Sequence, residues 1–145
     1  MTYNSHLKVV NDNGEQFELR VDGYMLDYKP DNYFENNWLR GEIVLSNKRV
    51  EERVSLQFLL VEELIQLKEW ISMIDNSYKS TNIIFDFIDP NMKFRVWKRK
   101  PVKTIRFIYH SEHKEIYTWE MILNEMNVTS LKCQLDEILL KYPIR

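Results

Sequence analysis

The period of the apolar residues changes sharply at Val61, and that change limits the folds open to this chain. From Val61 to Asn76, the positions Val61, Leu64, Ile65, Ile71 and Ile74, widened by Leu67 and Trp70, fall on one face of a helix. Before that stretch the period is two. Phe17, Leu19 and Val21 alternate with Glu18, Arg20 and Asp22, as in a strand with one buried face. Leu7–Val10 and Gln16–Val21 flank Asn11-Asp12-Asn13-Gly14, where Asn-Gly supplies the positive φ angles of a tight hairpin turn. A second hairpin is predicted over Leu39–Leu45 and Val50–Phe58, with Ile43, Leu45, Val54, Leu56 and Phe58 facing inward.

Beyond the helix the period of two returns. Ile83, Phe85 and Phe87 alternate, Asp89-Pro90-Asn91 makes a turn, and Met92–Arg99, Val102–Tyr109 and Ile116–Leu123 read as strands. A closing helix is predicted across Thr129–Lys141, with Val128, Leu131, Leu135, Ile138 and Tyr142 on one face and Pro143 after it. Short connections favour antiparallel neighbours, and no strand–helix alternation suggests a parallel nucleotide-binding sheet. The predicted fold is α+β. It comprises an antiparallel sheet of about seven or eight strands, whether continuous, split or strongly bent, with two helices packed on it, a single domain over residues 1–145.

Composition narrows the chemistry. Three Gly and four Pro argue against linkers and low-complexity tails, and 19 aromatic residues (four Trp, eight Tyr, seven Phe) promise a ring-rich core. No apolar stretch reaches the roughly 18 residues of a membrane span, and the N-terminus lacks a basic region followed by an apolar run. Cys133 is the single cysteine, so the chain has no internal disulfide, and the expected reading is a core thiol in a cytoplasmic protein. Gly14, Gly23 and Gly41 are isolated, so no phosphate-cradling loop is present. Glu62 and Glu63 fall in the first helical turn, where solvated carboxylates favour the helix dipole, and are not read as a catalytic pair. His110-Ser-Glu-His113, with Glu115 nearby, is the one arrangement that suggests a metal, and it lacks a third ligand at useful spacing. No cofactor, metal or catalytic residue is therefore assigned.

Two segments remain as candidate binding sites. Gly23 to Trp38 joins two strands through a long stretch without clean period, and long loops inside compact domains are often functional. It carries Tyr24, Tyr28, Tyr33, Phe34 and Trp38 beside Asp27, Asp31 and Glu35. Asp27, Asp31, Tyr33, Phe34, Glu35 and Trp38 are the candidate partner-binding residues, since Trp and Tyr pair large apolar area with a polar tip. Residues 12–45 hold eight acidic residues against Arg20, Lys29 and Arg40, a charge asymmetry able to steer a basic partner. The other segment, Lys93–Arg106, interleaves seven basic residues with rings, the composition of a nucleic-acid-binding hairpin. The net charge of −2 over the whole chain counts against that alternative.

In their order, Gly23-Tyr24, Asn37-Trp38-Leu39, Glu62-Glu63-Leu64 with Trp70-Ile71, Phe85 through Asp89-Pro90 to Phe94, and Tyr142-Pro143 before Arg145 give the sequence a family likeness. It resembles the WapI family of bacterial immunity proteins from about Gly23 onward. The resemblance implies a non-enzymatic cytoplasmic protein that binds and blocks the C-terminal nuclease domain of a cognate contact-delivered toxin. Two places depart from it: Met25-Leu26 stands where an aromatic–proline pair is expected, and Leu59-Leu60 runs into Val61 without a polar helix cap.

Overall fold

A computed structural model describes residues 5–76, 84–99, 102–111 and 116–145, with the side chains at 75, 76, 97–99, 102 and 116 excepted. The elements run β1 (His6–Val10), β2 (Gln16–Tyr24), α1 (Tyr33–Asn36), β3 (Leu39–Ser46), β4 (Glu51–Ser55) and α2 (Val61–Asn76). They continue with β5 (Ile84–Asp86), β6 (Met92–Arg99), β7 (Val102–His110), β8 (Ile116–Ile122) and α3 (Glu125–Lys141). The strands form two four-stranded antiparallel sheets, β1-β2-β3-β4 and β5-β6-β7-β8, each in sequence order. Of the forms left open for the predicted sheet the split one is observed, as two meanders, with α2 linking them and α3 closing the chain onto α2 and β1.

Phe17 of β2 shows how the halves meet. Its ring lies 4.8 Å from Phe107, 5.4 Å from Trp119 and 5.8 Å from Phe94, so one side chain of the first sheet touches three strands of the second. Trp70 of α2 reaches the same cluster through Phe85 and Phe94. Val128, Leu131, Leu135 and Ile138 bring α3 into the one core. Tilted and edge-on rings at these separations add stabilisation beyond the area they bury.

The outer face of the first sheet carries a chain of ion pairs. Glu18, only 3% exposed, lies 2.7 Å from His6 Nδ1 and accepts from Arg20 Nε at 2.8 Å; Arg20 continues to Glu42, which also pairs with Arg53. Burial pushes the Glu18 carboxyl up, but the hydrogen bonds and charges of Arg20 and His6 outweigh it and hold the group below its ordinary value.

Several expectations are corrected by particular contacts. At the first turn only Gly14 has positive φ, and Asn11 Oδ1 organises the loop by accepting from the Asn13 and Glu15 amides. Phe58 does not face inward: β4 ends at Ser55, the strand parity is lost, and Phe58 is 51% exposed. Cys133 is exposed, because it sits about 200° around α3 from both Leu131 and Leu135 at roughly 100° per residue. α3 begins four residues earlier than predicted, capped by the Asn124 side chain, which accepts from the Asn127 amide.

Glu63 is not a solvated dipole partner. It is 3% exposed, and its carboxylate accepts from the backbone amides of Leu60 and Ile88. The first bond closes the reciprocal half of a capping box, which explains how α2 starts without a polar cap. The second fixes the chain just after β5 to the start of α2. Burial raises the Glu63 carboxyl above its ordinary value against those two bonds.

Candidate functional site

The segment between β2 and β3 is shorter and better ordered than the sequence suggests. β2 runs through to Tyr24, pairing Tyr24 with Leu39 across a register shift between Val21 and Gly23. The helical turn α1 occupies Tyr33–Asn36, which leaves Met25–Asn32 as the irregular part. The neck is closed by the Met25 amide donating to the Trp38 carbonyl at 2.8 Å.

Two buried asparagines hold this loop from inside. Asn36 grips the Lys29 backbone on both sides, accepting from its amide at 2.8 Å and donating to its carbonyl at 2.7 Å. Asn37 donates through Nδ2 to the Tyr33 and Arg145 carbonyls and accepts from the Arg145 amide. The Asn37 carbonyl accepts from the Val61 amide, which ties the same residue to the start of α2. An amide side chain supplies donor and acceptor at once, so two buried asparagines can satisfy backbone groups that no strand partner reaches.

The segment 142–145 packs beneath. The Tyr24 hydroxyl donates to the Pro143 carbonyl, and the Tyr24 and Tyr142 rings meet edge to face at 5.6 Å. Burial is the first cause that raises the hydroxyls of both tyrosines above their ordinary values. The Arg145 guanidinium lies 3.8 Å from the centre of the Tyr24 ring and donates to the carbonyls of Leu26 and Asn36.

What this brace displays is apolar. Phe34 is 64% exposed, Tyr28 59%, and Tyr33, Met25 and Leu26 are exposed too. Tyr33 and Phe34 pack against each other at 5.7 Å. The Glu62 carboxylate, in the first turn of α2, raises the Tyr33 hydroxyl above its ordinary value. Trp38 is half-buried, bridged through its backbone to Leu60, and meets the exposed Phe58 edge-on at 5.7 Å. Phe58 also lines a cleft of about 640 Å³ between β4 and the turn at Asp89-Pro90-Asn91. Grouped exposed rings at this density are a mark of contact surfaces.

Of the six candidates, Asp27, Asp31, Tyr33, Phe34 and Glu35 are exposed, and Trp38 is shared with the structure beneath. Asp31 takes a left-handed φ of 66°, a conformation that Asp tolerates better than most residues. Glu35 accepts from the Asn32 side chain at 2.6 Å. Phe58 and Tyr28 join these exposed rings without being among the candidates; Phe58 was turned inward by extending the alternation past the end of β4. The acidic excess of residues 12–45 is dispersed. Asp12 and Glu15 lie at or beside the first hairpin turn, Asp22 is exposed on β2, and Glu18 and Glu42 are engaged with arginines, leaving Asp27, Asp31 and Glu35 against Lys29 in the loop.

The other candidate segment is built differently. β6 and β7 pair over Met92–Arg99 and Val102–His110, so Phe94 and Phe107 turn into the core while Lys93, Arg95 and Arg106 take the other face. Arg106 makes a two-pronged pair with Glu120 at 2.7 and 3.0 Å, and Lys103 Nζ approaches the Ile74 carbonyl at 3.5 Å. The side chains of Trp97, Lys98, Arg99 and Lys100 lie outside the described residues, as do Glu112, His113 and Glu115 of the metal-like cluster. Among the described residues no three His, Cys, Asp or Glu side chains are grouped as metal ligands. None of their helices is long and apolar enough to cross a membrane.

Fold and surface together define an α+β domain whose exposed rings are mounted on a braced loop. The family model of the WapI-like immunity proteins matches residues 8–143, and the chain belongs to that family. It is a family of immunity proteins and not of enzymes, and membership implies a cognate toxin as partner. No curated protein was found to match the chain.

Proposed function

We propose that this protein neutralises the nuclease domain at the C-terminus of its cognate toxin inside the producing cell, and that it binds through the loop Met25–Trp38 together with Phe58. The observation that carries the reading is the exposure of Tyr28, Tyr33 and Phe34 on a loop held by buried asparagines, with the exposed Phe58 ring against Trp38 beside it. A braced loop loses little freedom when a partner lands on it, so more of the contact energy appears as affinity. Asp27, Asp31 and Glu35 stand around the rings, where they would meet the basic surface that a nuclease presents to its substrate. A role as catalyst is not needed, because an inhibitor acts by occupancy alone.

The direct test mixes the purified protein with the C-terminal domain of the toxin encoded beside it and follows RNA cleavage. The expected result is cleavage that falls linearly with added protein and stops near one equivalent. Full cleavage at a several-fold excess of folded protein would reject neutralisation, a toxin domain that cleaves no RNA by itself would reject a nuclease target, and absence of any complex between the two would reject the pairing itself.

A further inference from the structure

We infer that the Arg145 guanidinium is a positioning residue for the partner-binding loop, a role that rests on the loop being the interface. Its two hydrogen bonds fall on opposite limbs. Leu26, whose carbonyl accepts from Nη2 at 2.7 Å, belongs to the limb leaving β2; Asn36, whose carbonyl accepts from Nε at 2.8 Å, belongs to the limb returning to β3. The planar fork therefore bridges the loop across its neck. It is seated from below by the Tyr24 ring at 3.8 Å, and Tyr24 is itself held by the Pro143 carbonyl and the Tyr142 ring. The Tyr28 ring, 59% exposed, is 5.9 Å from the same guanidinium, so one displayed ring is directly adjacent to the latch.

Arginine suits this place and lysine does not. The guanidinium offers several donors in a fixed plane and stacks on a ring, whereas an ammonium is a point charge that cannot bridge the two carbonyls in that geometry. Removing the side chain leaves the backbone bonds of residue 145 to the Asn37 side chain intact. The Asn36 grip on Lys29 is also untouched. What is lost is the bridge between the Leu26 and Asn36 carbonyls and its seat on Tyr24, and with it the guanidinium's tie on the Leu26 limb, along the irregular stretch Met25–Asn32. The loop would then sample conformations that do not match the partner, and association would slow by the fraction of molecules no longer competent.

The experiment uses the full chain as wild type, Arg145→Ala, Arg145→Lys and Phe34→Ala. Melting curves, backbone hydrogen exchange and binding kinetics with the toxin C-terminal domain are measured for each. The inference expects Arg145→Ala to speed exchange about tenfold or more across residues 25–32, with exchange in α2 and β3 unchanged. The association rate should fall about tenfold at nearly constant melting temperature, and Arg145→Lys should behave like the Ala variant. A purely structural residue would lower the melting temperature and leave the association rate of the folded molecules unchanged. Unchanged exchange at residues 25–32, full rescue by lysine, or faster exchange with an unaltered association rate would each overturn the assignment. If Phe34→Ala weakens binding while Arg145→Ala does not, only the positioning role fails. If neither weakens it, the loop itself is not the interface.

Discussion

Phe17 and Phe34 are the same side chain with different duties. Phe17 is 2% exposed among Phe94, Phe107 and Trp119, and its truncation to Ala should cost about 3–5 kcal/mol of stability. Phe34→Ala should leave stability within about 0.5 kcal/mol and weaken toxin binding by about 2 kcal/mol, chiefly through faster dissociation. Neutralising Asp27, Asp31 and Glu35 together should instead slow association and flatten its salt dependence, because charges at a rim steer the encounter more than they hold the complex. Association and dissociation rates at two salt concentrations separate these outcomes. Glu18 makes a prediction about pH. Its carboxyl lies below its ordinary value in the folded protein, so its stabilisation is fully present above that value and is lost as pH falls through the folded one. The stability difference between wild type and Glu18→Gln, from urea unfolding, should therefore shrink as pH is lowered from about 4.5 downward. A constant difference would mean that the ion-pair chain contributes nothing through this group.

Among the elements, β2 and β3 leave no room for a side chain at Gly41. A Cβ there would stand 1.8 Å from the Arg20 carbonyl oxygen, so Gly41→Ala must separate the two strands beside the Val21–Gly23 irregularity. At Gly23 a Cβ would meet only the end of the flexible Arg40 side chain, at 3.2 Å. Thermal melting should find Gly41→Ala severely destabilised or unfolded and Gly23→Ala close to wild type. Strand and helix periods made most of these elements legible, and α2 begins and ends where its apolar stripe predicts. What escaped was set by partners far along the chain. The order of the loop depends on Asn37 meeting Arg145, 108 residues away, and no local period records such a contact. Glu63 was partly readable, since it precedes Leu67 by four residues and Ile71 by eight on the buried stripe. Its charge argued for solvent, and the two backbone amides that accommodate it could not be seen. Cys133 needed only the helical angle from Leu131 and Leu135, once α3 was placed.

For the whole molecule, the residues on which the family likeness was read turn out to do architectural work. Tyr24, Asn37, Tyr142, Pro143 and Arg145 converge under one loop, and Glu63 clasps the start of α2 to the chain after β5. They build the support, while the rings and carboxylates it displays face outward; under the proposed reading the frame and the choice of toxin fall to different residues, with Trp38 shared between them. On that reading the frame would be retained and the partner changed through Tyr28, Tyr33, Phe34, Phe58 and the three loop acids. The most direct test of that division is amide hydrogen exchange of the full chain, alone and saturated with the toxin C-terminal domain. Protection should appear across residues 25–38 and 57–62, with β6 and β7 unchanged. Protection confined to the Lys93–Arg106 hairpin, with none at residues 25–38, would contradict the account.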